Sequence, residues 1–137
     1  MTSIQRSILI PDGPLIEVAI GPPMPASQTP IPATPQILDE IGLVDTGTEI
    51  TAVSPSVIQR LQIPSLRTAQ GDAVGGVAAI TLYVVSIRLP NLFIPALVVS
   101  VPQTDFPYFD CLIGRDILNR GILIYDGQNK AFTLDFP

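Results

Sequence analysis

The chain has 137 residues, enough for one domain with a real core, and 47% of them are hydrophobic against 14% charged, which excludes a disordered chain. Its net charge of −5, with seven scattered basic residues, leaves no basic stripe for nucleic acid. A single cysteine excludes an intrachain disulfide, and the absence of histidine excludes Ser-His-Asp and Cys-His catalysis and the commonest zinc ligand.

Val, Ile, Leu and Thr fall in short runs separated by Gly, Pro, Asn and Asp, the pattern of an all-β chain. The first strands are expected at Ser7–Ile10 and Leu15–Ile20. Gly21–Pro35 is proline-rich, lacks apolar periodicity and reads as a surface loop between strands; a recognition peptide or a self-cleavage site are the minority readings. A strand follows at Gly42–Asp45, delivering an aspartate to a turn. A short helix is expected at Pro55–Leu61, with Ser54 as N-cap and Pro55 at its first position. Strands are then expected at Ala79–Arg88 and Ala96–Ser100, and a second short helix at Arg115–Arg120, ended by Gly121. Leu123–Tyr125 and Ala131–Phe136 form a terminal hairpin (122–136) punctuated by Asp126-Gly127 and Asn129-Lys130. The fifteen prolines oppose any long helix.

No apolar run reaches the roughly 20 residues of a membrane helix, and the start, MTSIQRSILIPDG, carries no signal peptide pattern. The expectation is a cytoplasmic protein, residues 1–137 forming one domain, without membrane or nucleic-acid partners. With no histidine, any hydrolytic acid–base work falls chiefly to carboxylates. No cofactor or metal is called for.

The chemistry centres on Leu43-Val44-Asp45-Thr46-Gly47-Thr48. A carboxylate at a strand end is held in position, and Gly47 allows a substrate backbone to come close. Alone, Asp-Thr-Gly also describes an ordinary turn. Downstream stands Asp110-Cys111-Leu112-Ile113-Gly114-Arg115-Asp116-Ile117-Leu118, an apolar pair before Gly-Arg-Asp and a helix. Together the two motifs resemble the retropepsin family of aspartic proteases. Pro14–Gly21 is similar to the strand before the catalytic turn of viral members, and Gly71-Asp72-Ala73-Val74-Gly75-Gly76-Val77 to their flap tip. Thr133-Leu134-Asp135-Phe136 is similar to their terminal interface strand.

The resemblance implies a closed β-barrel of the acid-protease fold with one or two short helices and one lobe per chain. It implies a homodimer that cleaves an extended peptide or protein substrate, with Asp45 catalytic and Thr46 bonding its counterpart across the two-fold axis. Gly47 supports the site, and Thr48, Glu49, Ala73, Val74, Gly75 and Gly76 contact substrate. Gly114, Arg115 and Asp116 are structural, with Arg115 reaching back toward Glu49 and Asp116 bracing the helix. Cys111 reads as buried filler, since no histidine is present to activate it. One Asp-Thr-Gly per chain and no internal repeat exclude a two-lobed single-chain enzyme. The competing readings are a non-catalytic dimerisation or peptide-binding module on the same fold, and a carbohydrate-active β-domain pairing Asp45 with Asp110 or Glu49.

Overall fold

β2 (Leu15–Gly21) sets the frame: Ile16, Val18 and Ile20 point inward, each 2% exposed or less, while Glu17 between them faces solvent. That period of two is what a strand covering a core on one face requires. The computed structural model describes residues 2–9, 12–24, 37–73 and 76–137. Its remaining elements are β1 (Thr2–Ser7), β3 (Leu38–Val44), β4 (Ala52–Val53), α1 (Pro55–Leu61), β5 (Arg67–Ala73), β6 (Gly76–Leu89), β7 (Leu92–Val101), β8 (Cys111–Ile113), α2 (Arg115–Leu118), β9 (Ile122–Asp126) and β10 (Ala131–Phe136).

Seven strands lie in the order β2-β3-β8-β4-β7-β6-β5, and β2 also pairs with β6. That extra pairing closes β2, β3, β8, β4, β7 and β6 into a six-stranded barrel, with β5 attached to β6 as a hairpin. β3 and β8 run parallel, Val44 opposite Ile113, and β4 is antiparallel to β8. A second sheet, β1-β10-β9, is joined to the barrel through the core. Phe132, Leu134 and Phe136 alternate inward along β10, and Ile4 of β1 pairs opposite Leu134. Full burial of each such side chain contributes about 1.5–3 kcal/mol, which holds the small sheet against the barrel.

Several boundaries differ from those expected. The first strand is Thr2–Ser7 rather than Ser7–Ile10, because β10 supplies partners for Thr2 through Ser7; Ile10 lies outside the described residues. β3 begins at Leu38, its acidic Asp39-Glu40 pair held by register with Val18 and Ala19. β4, β5 and β8 were not expected: two of them span two and three residues, and β5, RTAQGDA, lacks apolar alternation. β7 continues through Pro95, where β6 and β7 shift register between Val85 and Ile87, so the missing proline N–H falls at a bulge. Gly21 belongs to β2, and 25–35 of the proline-rich segment lie outside the described residues.

Helix α1 has its expected bounds, but Ser54 makes no side-chain cap; its buried Oγ accepts the Phe106 N–H at 3.1 Å instead. Gln62, at φ 56°, ends that helix in the left-handed conformation. α2 ends at Leu118, with Asn119 as its C-cap. Among the described residues no helix is long and apolar enough to cross a membrane.

Candidate active site

Asp45 follows the last residue of β3, and its N–H donates to the Ile113 carbonyl of β8 at 3.0 Å. The β3–β8 ladder therefore extends to the carboxylate-bearing residue and fixes its backbone. The half-buried side chain is then fixed by its own turn. Gly47 N–H donates to Oδ1 at 2.9 Å and the Thr48 hydroxyl to Oδ2 at 2.7 Å. Thr48 N–H closes the turn on the Asp45 carbonyl at 3.3 Å. Each carboxylate oxygen thus receives one donor from the chain and retains capacity for a further one.

The turn rests on the start of α2. Arg115 N–H donates to the Thr48 carbonyl at 2.7 Å, and Asp116 N–H to the Glu49 carbonyl at 3.2 Å. Gly114 is buried so closely here that a Cβ would stand 2.8 Å from the Thr48 carbonyl oxygen. The Arg115 guanidinium donates through Nη1 to the Thr46 carbonyl at 2.9 Å. This differs from the expected reach to Glu49: among the described residues the ion pairs are Arg6–Glu17 and Arg60–Glu40, and the Glu49 side chain is exposed. A planar guanidinium close to a carbonyl braces the turn whatever acid stands at position 49.

Asp116 receives the Thr51 hydroxyl on Oδ1 at 2.6 Å and the Thr51 N–H on Oδ2 at 3.0 Å, and its Oδ1 also accepts the Ile117 N–H at 2.9 Å. Thr51 Oγ1 in turn accepts the Gly114 N–H at 3.1 Å. Thr51 is fully buried and absent from the sequence-derived site. The signal for it was a hydroxyl residue inside the apolar run Ile50-Thr51-Ala52-Val53, which demands a buried partner.

The structure thus brings together Asp45, Thr46, Gly47, Thr48, Gly114, Arg115 and Asp116. Thr46 and Glu49 are exposed beside them. Ala73 and Gly76 face each other where the β5 and β6 strands approach, while Val74 and Gly75 lie outside the described residues. Cys111 is fully buried, and burial, aided by Asp116 and Asp110, pushes its thiol far above the usual range, so it supplies no thiolate. No group of three potential metal ligands occurs among the described residues. A cavity of about 560 Å³, lined in part by Asp39, Glu40, Arg88 and Phe93, adjoins the opposite end of β3 from Asp45. There Glu40 is raised above the usual carboxylate range by burial and by Asp110, against the pull of Arg60.

A family model described as gag-polyprotein putative aspartyl protease matches residues 42–120, more than half of the chain. No curated protein matches. The crystal structure of a retropepsin-like aspartic protease from Rickettsia conorii superposes on 98% of this chain and 91% of its own, with a TM-score of 0.66 at 16% identity, and shows the same fold. EIAV protease in complex with the inhibitor HBY-793 is 27% identical over 59% of this chain and 75% of its own, with a TM-score of 0.44. The retroviral protease-like domain of Ddi1 from Leishmania major is 19% identical over 89% of each chain, with a TM-score of 0.47.

Proposed function

The chain belongs to the retropepsin-like aspartic protease family, and from that membership we propose that it acts as a homodimeric aspartic endopeptidase. Each copy supplies one Asp45, and the two carboxylates meet across a two-fold axis. Two carboxyls this close cannot both ionise, so they share one proton and titrate as a pair. The ionised partner takes a proton from water, which attacks the scissile carbonyl carbon. The protonated partner donates to the carbonyl oxygen, giving a tetrahedral diol. Collapse breaks the C–N bond as a proton passes to the leaving nitrogen, and the pair again holds one proton.

The observation carrying this reading is the fixing of the Asp45 carboxylate by Gly47 N–H and Thr48 Oγ1 at the end of a barrel strand. That constraint suits a group required in one orientation. In the same reading Thr46 bonds its counterpart across the axis, and Gly47, Thr48 and Glu49 line the cleft. The β5–β6 hairpin, with Ala73, Val74, Gly75 and Gly76 at its tip, closes over an extended peptide and adds it as a strand. Gly114, Arg115 and Asp116 hold the turn from below.

Cleavage of a peptide library over a range of mildly acid pH, with a pepstatin-type inhibitor as control, tests the proposal. Inhibitable cleavage that rises with dimer concentration supports it. A stable dimer that cleaves nothing at any pH would replace it with a non-catalytic dimerisation or peptide-binding module.

A further inference from the structure

The cavity of about 560 Å³ at the far end of β3 has no part in the proposed catalysis, yet its size falls within the roughly 300–1,000 Å³ usual for small-ligand sites. Strand register arranges its walls. Asp39 of β3 stands opposite Ala19 of β2, Ala19 opposite Arg88 of β6, and Arg88 opposite Phe93 of β7. Residues opposite one another in antiparallel strands share a face. An acid, a methyl, a base and a ring therefore form one row across the outside of the barrel.

The charges around the cavity differ in what they already hold. Glu17 and Glu40, which also line it, are paired with Arg6 and Arg60. Asp39 and Arg88 enter neither of these ion pairs. Arg88 instead lies over the Phe93 ring, 4.4 Å from its centroid, and so leans away from Asp39. Stacking leaves the guanidinium edge, with its fork of N–H donors, open to a carboxylate. Between the two charges the floor is the Ala19 methyl, and Pro90, Leu92 and Phe93 add apolar walls.

We propose that this cavity binds a short zwitterionic peptide of dipeptide size with apolar side chains, its ammonium on Asp39 and its carboxylate on Arg88. Two opposite charges held apart over an apolar floor complement a ligand that carries one charge at each end. The lean of Arg88 puts its head group between two and three strand spacings from β3, about 10–14 Å. A charge-assisted contact of about 2.8 Å at each end leaves a gap that two extended residues, about 7 Å long, can span. One residue falls short. The site shares no residue with the Asp45 turn, so it stands or falls independently of the protease reading.

Calorimetric and NMR titrations with Leu-Leu, its N-acetyl form, its C-terminal amide and free leucine test this. Leu-Leu is expected to bind with a Kd of roughly 0.2 mM, the affinity usual for a ligand of its size. The other probes each lack one charge or the span, and should bind at least about five-fold more weakly. Asp39→Asn should weaken Leu-Leu by the same factor but leave the N-acetyl form, which has no ammonium to lose, at its wild-type affinity. Arg88→Gln should likewise weaken Leu-Leu and spare the amide. Both side chains are exposed, so circular dichroism should remain native. Asp45→Asn should bind Leu-Leu as wild type does; loss of binding there would move the ligand to the catalytic turn and overturn the proposal. Equal affinity for the blocked probes, unchanged affinity in both cavity variants, a loss that falls alike on every probe, or no binding of Leu-Leu would each overturn it too.

Discussion

The Thr51 hydroxyl donates to Asp116 Oδ1 at 2.6 Å, across 65 residues of sequence, while accepting the buried Gly114 N–H. This contact clamps the segment after the Asp45 turn to the start of α2. Thr51→Val keeps the shape but strands the Gly114 N–H and removes one donor from Asp116. Loss of stability of about 1–3 kcal/mol is expected, with a clear drop in kcat as the turn loosens. Denaturant unfolding with turnover measured at full folding checks this; unchanged kcat would show that the clamp does not reach the carboxylate.

Asp45→Asn preserves the acceptor for Gly47 N–H and the size of the side chain, but it cannot pass the proton that the proposed Asp45 pair shares. Turnover should fall at least about a thousand-fold, while circular dichroism and the sedimentation profile remain native. Residual activity within ten-fold of wild type in the purified variant would remove Asp45 from the mechanism.

Gly114→Ala is expected to destabilise the fold by roughly 1–3 kcal/mol or more. The cause is steric: at φ −90° the backbone is open to any residue, but the new Cβ would lie 2.8 Å from the Thr48 carbonyl oxygen and 3.1 Å from Thr51 N. Those are backbone atoms, unable to swing aside. Gly127→Ala is the control, with its nearest neighbour at 3.8 Å, and should be neutral within about 0.5 kcal/mol. Equal thermal midpoints for the two variants would contradict the crowding at Gly114.

Glu40 titrates above the usual carboxylate range because burial and the nearby Asp110 disfavour its charge, more than Arg60 favours it. A raised folded-state pKa means that the folded chain holds this proton more tightly than the unfolded one. Its contribution to stability is present below the unfolded pKa and is lost as pH rises through the folded pKa. The thermal midpoint of Glu40→Gln relative to wild type should therefore climb as pH rises from the unfolded pKa through the folded one. The slope is the test, since it carries the net of burial, Asp110 and Arg60 on the Glu40 charge; a flat or falling difference would refute it.

Much of the molecule was legible without coordinates. The strand at Leu15–Ile20, the bounds of α1 and β10, and the turn at Asp45-Thr46-Gly47 all follow from local chemistry. Side-chain period, a proline at a helix start and glycine after aspartate act within a few residues, so their signals sit side by side in the chain. The tertiary structure alone decided that polar β5 is a strand, since its partner is β6 and not its own pattern. It likewise decided that Arg115 braces the Thr46 carbonyl instead of Glu49, that Thr51 clamps Asp116, and that β10 is central with β1 and β9 at the edges. These are pairings between segments far apart in sequence. Their energy comes from burial and register, which exist only once the barrel has closed.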